Sequence, residues 1–257
     1  MLRLITDFDG PIIDVSERYY RVYQFCLEKI RRPSQQVRQL AKAEFWQLKR
    51  SRISEKQIAI ISGLDEVQAQ EFNQLRRQTV HTEPYFQYDT LAPGAVEALL
   101  KVQQAGIDLV VMTMRRTWEL DYAFKKYDLG RFFPENRCYC LTNDYVKTRD
   151  NDDKPLLMAR AIQELPPATD TWMVGDTEAD IISATKHGIK VIAVECGIRD
   201  RSQQEQYQPN LIVKDLSSAV DFVLERTLQQ TTEVGSWVNR SIPDNPQLKS
   251  SSTLKSY

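Results

Sequence analysis

The chain has 257 residues, a formal net charge of −1 and a 42% hydrophobic content, enough for one large domain or two small ones around a sizeable core. No apolar run is long enough to span a membrane, and near-neutrality gives no electrostatic footprint for nucleic acid. Cys26, Cys138, Cys140 and Cys196 lack paired C-x-x-C spacing, which argues against a zinc site or a disulfide framework and for a reducing, cytoplasmic setting. The N-terminus enters the first strand within two residues, leaving no room for a signal peptide.

That strand is marked by Leu2, Leu4 and Ile5 and closed by the turn residue Gly10. Side chains alternate along an extended chain, so Asp7 and Asp9 face the same way at its carboxyl end, where open α/β sheets place their ligands. Two carboxylates that close repel unless a cation, a proton or a reaction uses them. Alone, D-x-D-G also fits a polar turn after an edge strand, although the functional reading is favoured.

Residues 15–84 predict helices only. Asp14-Val-Ser-Glu17 has capping-box spacing and opens an amphipathic helix carrying Tyr19, Val22, Tyr23, Cys26, Leu27 and Ile30, which Pro33 ends. A second apolar series runs through Leu40, Phe45, Trp46 and Leu48. A third helix opens at Ser54-Glu-Lys-Gln57 and stops at Gly63, and a fourth follows Leu64-Asp65 with Val67, Phe72 and Leu75. This stretch holds thirteen Lys/Arg against eight Asp/Glu, consistent with a basic surface over an anionic substrate. Its densest run, Lys49-Arg50-Ser51-Arg52, is expected to be a solvated loop.

From 85 to 228 strands alternate with helices, the mark of a parallel sheet. Strands are predicted at 107–113, 138–142, 170–175, 190–195 and 211–213, and helices near 93–105, 117–127, 155–164, 178–187 and 216–228. The fold class is therefore α/β, a Rossmann-like parallel sheet with an all-helical insertion. Residues 229–257 are polar and predict a disordered or loosely docked tail, with Trp237 and Val238 as its only candidate anchors.

A second acidic strand end, Gly175-Asp176-Thr177-Glu178-Ala179-Asp180, complements the first. Asp176 leaves the strand and Asp180 lies one helical turn on, on the same face. Acids from two strand ends can hold one Mg²⁺, which prefers oxygen ligands.

With these motifs the chain resembles the haloacid dehalogenase-like hydrolase superfamily, and within it the helical-cap phosphatases of the phosphoglycolate phosphatase type. Four motifs stand in that family's order: Asp7-Phe-Asp9-Gly10, the strand Leu109-Val-Val-Met-Thr113, Lys154 in Asp152-Asp153-Lys154-Pro155, and Gly175 to Asp180. The resemblance implies a core of residues 1–14 and 85–228 and a helical cap of residues 15–84. It implies Asp7 as nucleophile, forming an aspartyl-phosphate, and Asp9 as general acid and base. Mg²⁺ would be held by Asp7, the Asp9 carbonyl and Asp176, with Asp180 behind them. Thr113, Met114 through its backbone, and Lys154 would hold the phosphoryl group, Lys154 lying at a helix start with Pro155 in first position.

The implied activity is Mg²⁺-dependent hydrolysis of a small phosphorylated metabolite, with neither nucleic acid nor membrane as partner. The sequence gives no sign of oligomeric state. Asp9 favours phosphate chemistry, since dehalogenases of this superfamily typically lack a second acid. A phosphomutase on the same core is one rival; a catalytically idle binding protein, disfavoured by the intact acids, is another. Departures from the pattern are Pro11, where threonine is common, and Met114-Arg115, where related phosphatases often carry Asn. Arg115 and Arg116 are expected to be solvated charges rather than anion binders. His81 and His187 have no part in the implied reaction, and His187 is expected to meet a helix dipole. The chain would cross between core and cap near Ile13–Ser16 and Thr82–Tyr88.

Overall fold

A computed structural model describes residues 1–226. By its contacts the chain divides into Met1–Asp221 and a second unit beginning at Phe222, whose described residues are helical. The tail expected at 229–257, with Trp237 and Val238, lies outside the described residues.

The first unit starts with β1 (Leu2–Thr6) and the short β2 (Ile13–Asp14), then runs through α1 (Ser16–Ile30), α2 (Lys42–Arg50), α3 (Glu55–Ile61), α4 (Glu66–Thr79) and α5 (Glu83–Phe86). It returns by β3 (Thr90–Leu91) to α6 (Ala95–Gln104), β4 (Asp108–Arg116), α7 (Thr117–Tyr127) and β5 (Cys138–Leu141). Then come α8 (Asp150–Glu164), β6 (Asp170–Gly175), α9 (Glu178–Lys186), β7 (Lys190–Val194), α10 (Arg201–Glu205) and β8 (Leu211–Val213), with helix again from residue 216.

Six strands form one parallel sheet in the order β5-β4-β1-β6-β7-β8. Leu4 of β1 stands opposite Leu109 of β4 and Trp172 of β6, so the first strand is central. The order reverses about β1, which opens a crevice at the carboxyl ends of the strands. Ile5, Val110, Met112, Met173 and Val191 share one face and meet Met158 and Ala161 of α8 and Ile181 and Ala184 of α9. The Rossmann-like sheet expected from the alternating pattern is thus formed, with every predicted strand in place.

The helices between β2 and β3 enclose an apolar cluster of their own, including Tyr23, Cys26, Phe45, Ile58 and Phe72, all buried. Aromatic stacking tightens it: the Tyr23 and Phe45 rings lie 4.8 Å apart, nearly parallel. Asp65 and Gln68 close a full capping box at the start of α4, and the Ser54 side chain accepts from the Gln57 N–H at the start of α3.

Three local expectations are corrected. The Asp14–Glu17 capping box does not form, because α1 begins at Ser16 and Glu17 falls one place early in the first turn. Asp14 Oδ1 instead accepts the Ser16 N–H at 2.8 Å, and Glu17 pairs with Arg21 and Lys42. The second chain crossing lies later than expected: Ile13 pairs antiparallel with Leu91, so the two passages are joined as a small ladder. Pro84 lies in the first turn of the short α5, where its missing N–H costs nothing. Finally, α8 starts at Asp150, which puts Pro155 inside the helix and Lys154 more than a turn from its beginning.

Phe72 is fully buried in the helical cluster. Phe72→Ala should lower the unfolding free energy by about 3–5 kcal/mol, read from urea denaturation. A loss below about 1 kcal/mol would mean that this cluster contributes little to the fold.

Candidate active site

The crevice above β1, β4 and β6 gathers side chains from distant parts of the sequence. β1 delivers Asp7, whose N–H donates to Val174 O at 2.7 Å and so continues the ladder by one residue. Its Oδ1 accepts the Phe8 N–H at 2.7 Å and lies 2.9 Å from Lys154 Nζ. Lys154 also pairs with Asp180 Oδ1 at 2.5 Å, so one buried ammonium bridges two buried acids. Asp176 completes the group: ligand oxygens of Asp7, Asp176 and Asp180 all lie within 4.8 Å of one another.

Crowding sets the electrostatics. Burial, with Asp180 adding repulsion, raises the Asp7 carboxyl well above its ordinary range against the pull of Lys154. The same two causes raise Asp176 to about 7. For Lys154, the attraction of Asp180 and Asp7 outweighs burial and raises its pKa. Three acids with one ammonium leave the trio short of positive charge, and an all-oxygen donor set of this size suits a hard divalent cation.

Backbone geometry makes the crowding possible. Gly10 has φ +90°, and a Cβ there would come within 2.5 Å of the Asp176 carboxylate. A methyl on Gly197 would overlap that carboxylate from the other side. Asp176 Oδ2 accepts the Ile198 N–H at 2.6 Å, which fixes its orientation. Asp180 is the third residue of α9, where its Oδ2 accepts the Thr177 N–H and hydroxyl in a capping box. The Thr177-x-x-Asp180 spacing was visible in the sequence, but only as an acidic pattern.

Thr113 is buried at the end of β4, and its Oγ1 accepts the Arg115 N–H at 3.1 Å, leaving the hydroxyl proton available. Thr113, Met114 and Lys154 all border the same cavity of about 290 Å³ as Asp7 and Asp176. Asp9 borders it too, but its carboxylate is not among the clustered three.

Asp9 is instead held by two buried arginines. Arg115 places Nε 2.8 Å and Nη2 2.7 Å from Oδ1, and Arg18 Nη2 lies 3.2 Å from Oδ2. Both guanidiniums also pair with Asp89, at 2.9 Å from Arg18 and 2.5 Å from Arg115. Arg115 lies over the Phe8 and Phe86 rings and Arg18 over Phe86. Burial alone would raise the Asp9 carboxyl; Arg115 and Arg18 outweigh it and hold it below its usual range. Arg115 is therefore not a solvated charge. It lies 1% exposed because β4 runs to Arg116 and turns its side chain inward against two carboxylates. Arg116 is half-buried, and its side chain donates to Tyr145 O.

The basic run expected to be solvent-washed is likewise engaged. Lys49 pairs with Glu55, Arg50 donates to Glu195 O, Ser51 to Asp200, and Arg52 to the Tyr207 hydroxyl. The Arg50 and Ser51 contacts fasten the α2–α3 turn onto the loop after β7, and Arg52 reaches the segment after α10. His81 lines the cavity with Nδ1 3.6 Å from Glu119, and His187 lies 3.1 Å from Pro155 O at the end of α9.

Removing Arg115 leaves Asp89 almost fully buried with only one guanidinium. Arg115→Leu should destabilise the protein by about 3–5 kcal/mol in urea denaturation. An effect within about 0.5 kcal/mol would mean that the four-residue network is energetically idle.

The family described as haloacid dehalogenase-like hydrolase matches residues 3–188. The chain is 22% identical over 228 residues to a phosphoglycolate phosphatase of Pseudomonas fluorescens, covering 88% of this chain and 80% of that protein. It is 29% identical over 137 residues to the pyrophosphatase PpaX of Bacillus mycoides, covering 53% and 60%. Among solved structures it resembles a haloacid dehalogenase-like family hydrolase of Streptococcus pneumoniae (TM-score 0.61, 17% identity, 86% and 97% covered). It also resembles a hydrolase of Pseudomonas syringae (TM-score 0.56, 17% identity, 88% and 99% covered). These structural likenesses establish the fold, and the match over residues 3–188 establishes that the chain belongs to the haloacid dehalogenase-like hydrolase family.

Proposed function

We propose that the protein is a Mg²⁺-dependent phosphatase that hydrolyses a small phosphate monoester through an aspartyl-phosphate on Asp7. The observation that carries this reading is the Asp7 carboxylate itself. It sits at the end of the central strand, tethered through one oxygen by Lys154 and the Phe8 N–H, and grouped with Asp176 and Asp180. The phosphatase names of relatives that match most or part of the chain support the same class of substrate.

In the first step an Asp7 oxygen forms a bond to phosphorus while the ester P–O bond breaks, its electron pair leaving with the alcohol oxygen. Asp9 gives that oxygen a proton. In the second step Asp9 takes a proton from water, the water oxygen bonds to phosphorus, and the Asp7–phosphorus bond breaks to release phosphate. The arginine pair favours the ionised form of Asp9, the form the second step needs. Donation in the first step requires Asp9 to leave Arg115 and Arg18. Lys154 and the Thr113 hydroxyl stabilise charge on the phosphoryl oxygens, and the Met114 N–H faces the same role.

Asp7, the Asp9 carbonyl and Asp176 are the residues that would hold Mg²⁺. Asp180, whose oxygens already serve Lys154 and Thr177, fixes the arrangement behind them. Bound there, Mg²⁺ supplies positive charge that lets an anionic carboxylate approach an anionic phosphate. The helices of residues 16–86 act in this reading as a cap that limits water and selects the substrate.

Asp7→Asn keeps the shape and removes the attacking anion. Phosphate release from a panel of phosphorylated metabolites should then fall by at least about 10³-fold, with folding unchanged by circular dichroism. Activity near that of the unmodified protein, with deamidation excluded by mass spectrometry, removes Asp7 from the mechanism.

The raised Asp176 gives a signed pH dependence. Below about 7 a proton occupies the site in competition with a cation, and above it the carboxylate is free. The Mg²⁺-induced rise in melting temperature should therefore be small at about pH 5.5 and larger at about pH 8. An equal rise at both values, or none, would contradict the assignment of Asp176 to the cation.

A further inference from the structure

Beside the active-site cavity lies a second cavity of about 420 Å³, and the two share a wall: Lys49, Arg76 and Arg199 line both. The remaining charged lining of the second is Arg52, Lys56, Arg77 and a single carboxylate, Glu55. Lys49 and Arg76 divide Glu55 between them, and Arg52 and Arg199 divide Glu178. Lys56 and Arg77 make no close ion pair among the described residues, although Arg77 still attracts Glu55 from farther off. Six cations against two carboxylates leave a surplus of four positive charges, on a chain whose net charge is −1. General basicity therefore does not explain the cluster.

Cations on a convex surface are simply solvated. Here they converge on a concavity, where low-dielectric walls focus the field and raise the local concentration of anions. The inner wall is short of compensation: burial pulls the Lys49 ammonium down to about 8 despite Glu55, and Arg76 and Arg199 add repulsion. Tyr19 lies under both inner cations, with its ring centroid 4.6 Å from Arg76 Cζ and 5.7 Å from Lys49 Nζ, and limits their movement.

We propose that this second cavity is a binding site for a phosphate-rich anion, with Lys56 and Arg77 as its outer contacts and Lys49 and Arg76 as the wall it shares with the active site. The site rests on charge and shape, and it stands whether or not Asp7 proves to be a phosphatase nucleophile. Two sources supply the chemistry. One is a further phosphate group on the molecule whose phosphoryl group sits at Asp7; the other is a separate polyphosphate effector.

Inorganic tripolyphosphate is the probe, titrated by calorimetry into the full chain at low salt with a chelator present. Without a divalent cation the acidic trio repels the probe, so binding reports the second cavity. Binding should be weakened by about tenfold or more in the Lys56→Gln/Arg77→Gln variant. Neither side chain lines the active-site cavity, so turnover of p-nitrophenyl phosphate should be unchanged. Unchanged thermal melting shows that the variant is folded.

Two further arms separate the sources. If the substrate's own second phosphate binds there, the preference in kcat/KM for an alkyl bisphosphate over the matching monophosphate disappears in the variant. If a separate effector binds there, tripolyphosphate alters p-nitrophenyl phosphate turnover in the unmodified protein and not in the variant. No binding of tripolyphosphate up to about 1 mM, or equal binding to both proteins, overturns the proposal. Binding without any p-nitrophenyl phosphate turnover would sink the phosphatase reading and leave this site intact.

Discussion

The site depends on one buried ammonium. Asp7 and Asp180 could not be packed side by side at the edge of the sheet without Lys154 between them, because each lies in a low-dielectric setting where like charges repel strongly. Placing that ammonium requires α8 to begin early, so that Lys154 lies past its first turn and reaches inward. Seating the third acid, Asp176, requires backbone to come close to its carboxylate, which Gly10 and Gly197 allow. The charge remaining after this pairing is negative and confined to the crevice. The fold thereby concentrates a cation-seeking field at one point of a nearly neutral protein.

A second charge system meets the first at Asp9. Arg18 comes from the first helix after β2, Asp89 from the residue before β3, and Arg115 from the end of β4. The four groups balance, two cations with two anions, and aromatic rings lie over the buried guanidiniums. Because these residues flank both passages of the chain between sheet and helical insert, Asp9 is bound to the joint between them. Any rotation at the β2–β3 ladder would change how firmly its carboxylate is held.

The sequence made the sheet legible because its strands are buried runs bounded by Gly, Asp and Pro. The acids were legible because strand ends have fixed positions in such sheets. Lys154 was found by motif, yet its surroundings were misjudged: Pro155 suggests a helix start, and nothing local shows that a turn precedes it. Arg115 is hidden in the sequence for a different reason. Its partners Asp9 and Asp89 lie far from it in sequence, and a charge beside a strand end looks the same whether it meets solvent or two carboxylates. Arg50 to Arg52 are hidden in the same way, since their partners at Glu195, Asp200 and Tyr207 are supplied only by the folded chain. Spacing along the chain reports periodic elements well and long-range ion pairing poorly.

The central position of β1 also shapes how the chain is assembled. Its neighbours β4 and β6 begin more than a hundred residues later, so the strand that carries Asp7 emerges from synthesis long before it can pair. The helices of residues 16–86, by contrast, find their apolar partners within their own stretch. They can condense first, leaving β1 unpaired until β4 arrives and open on its other side until β6 follows. Closure of the sheet about β1 is then the slow, non-local event, and the acidic crevice comes into being only with the last of it. A chain halted before Gly175 would own a packed helical insert and an Asp7 with neither Asp176 nor Asp180 beside it.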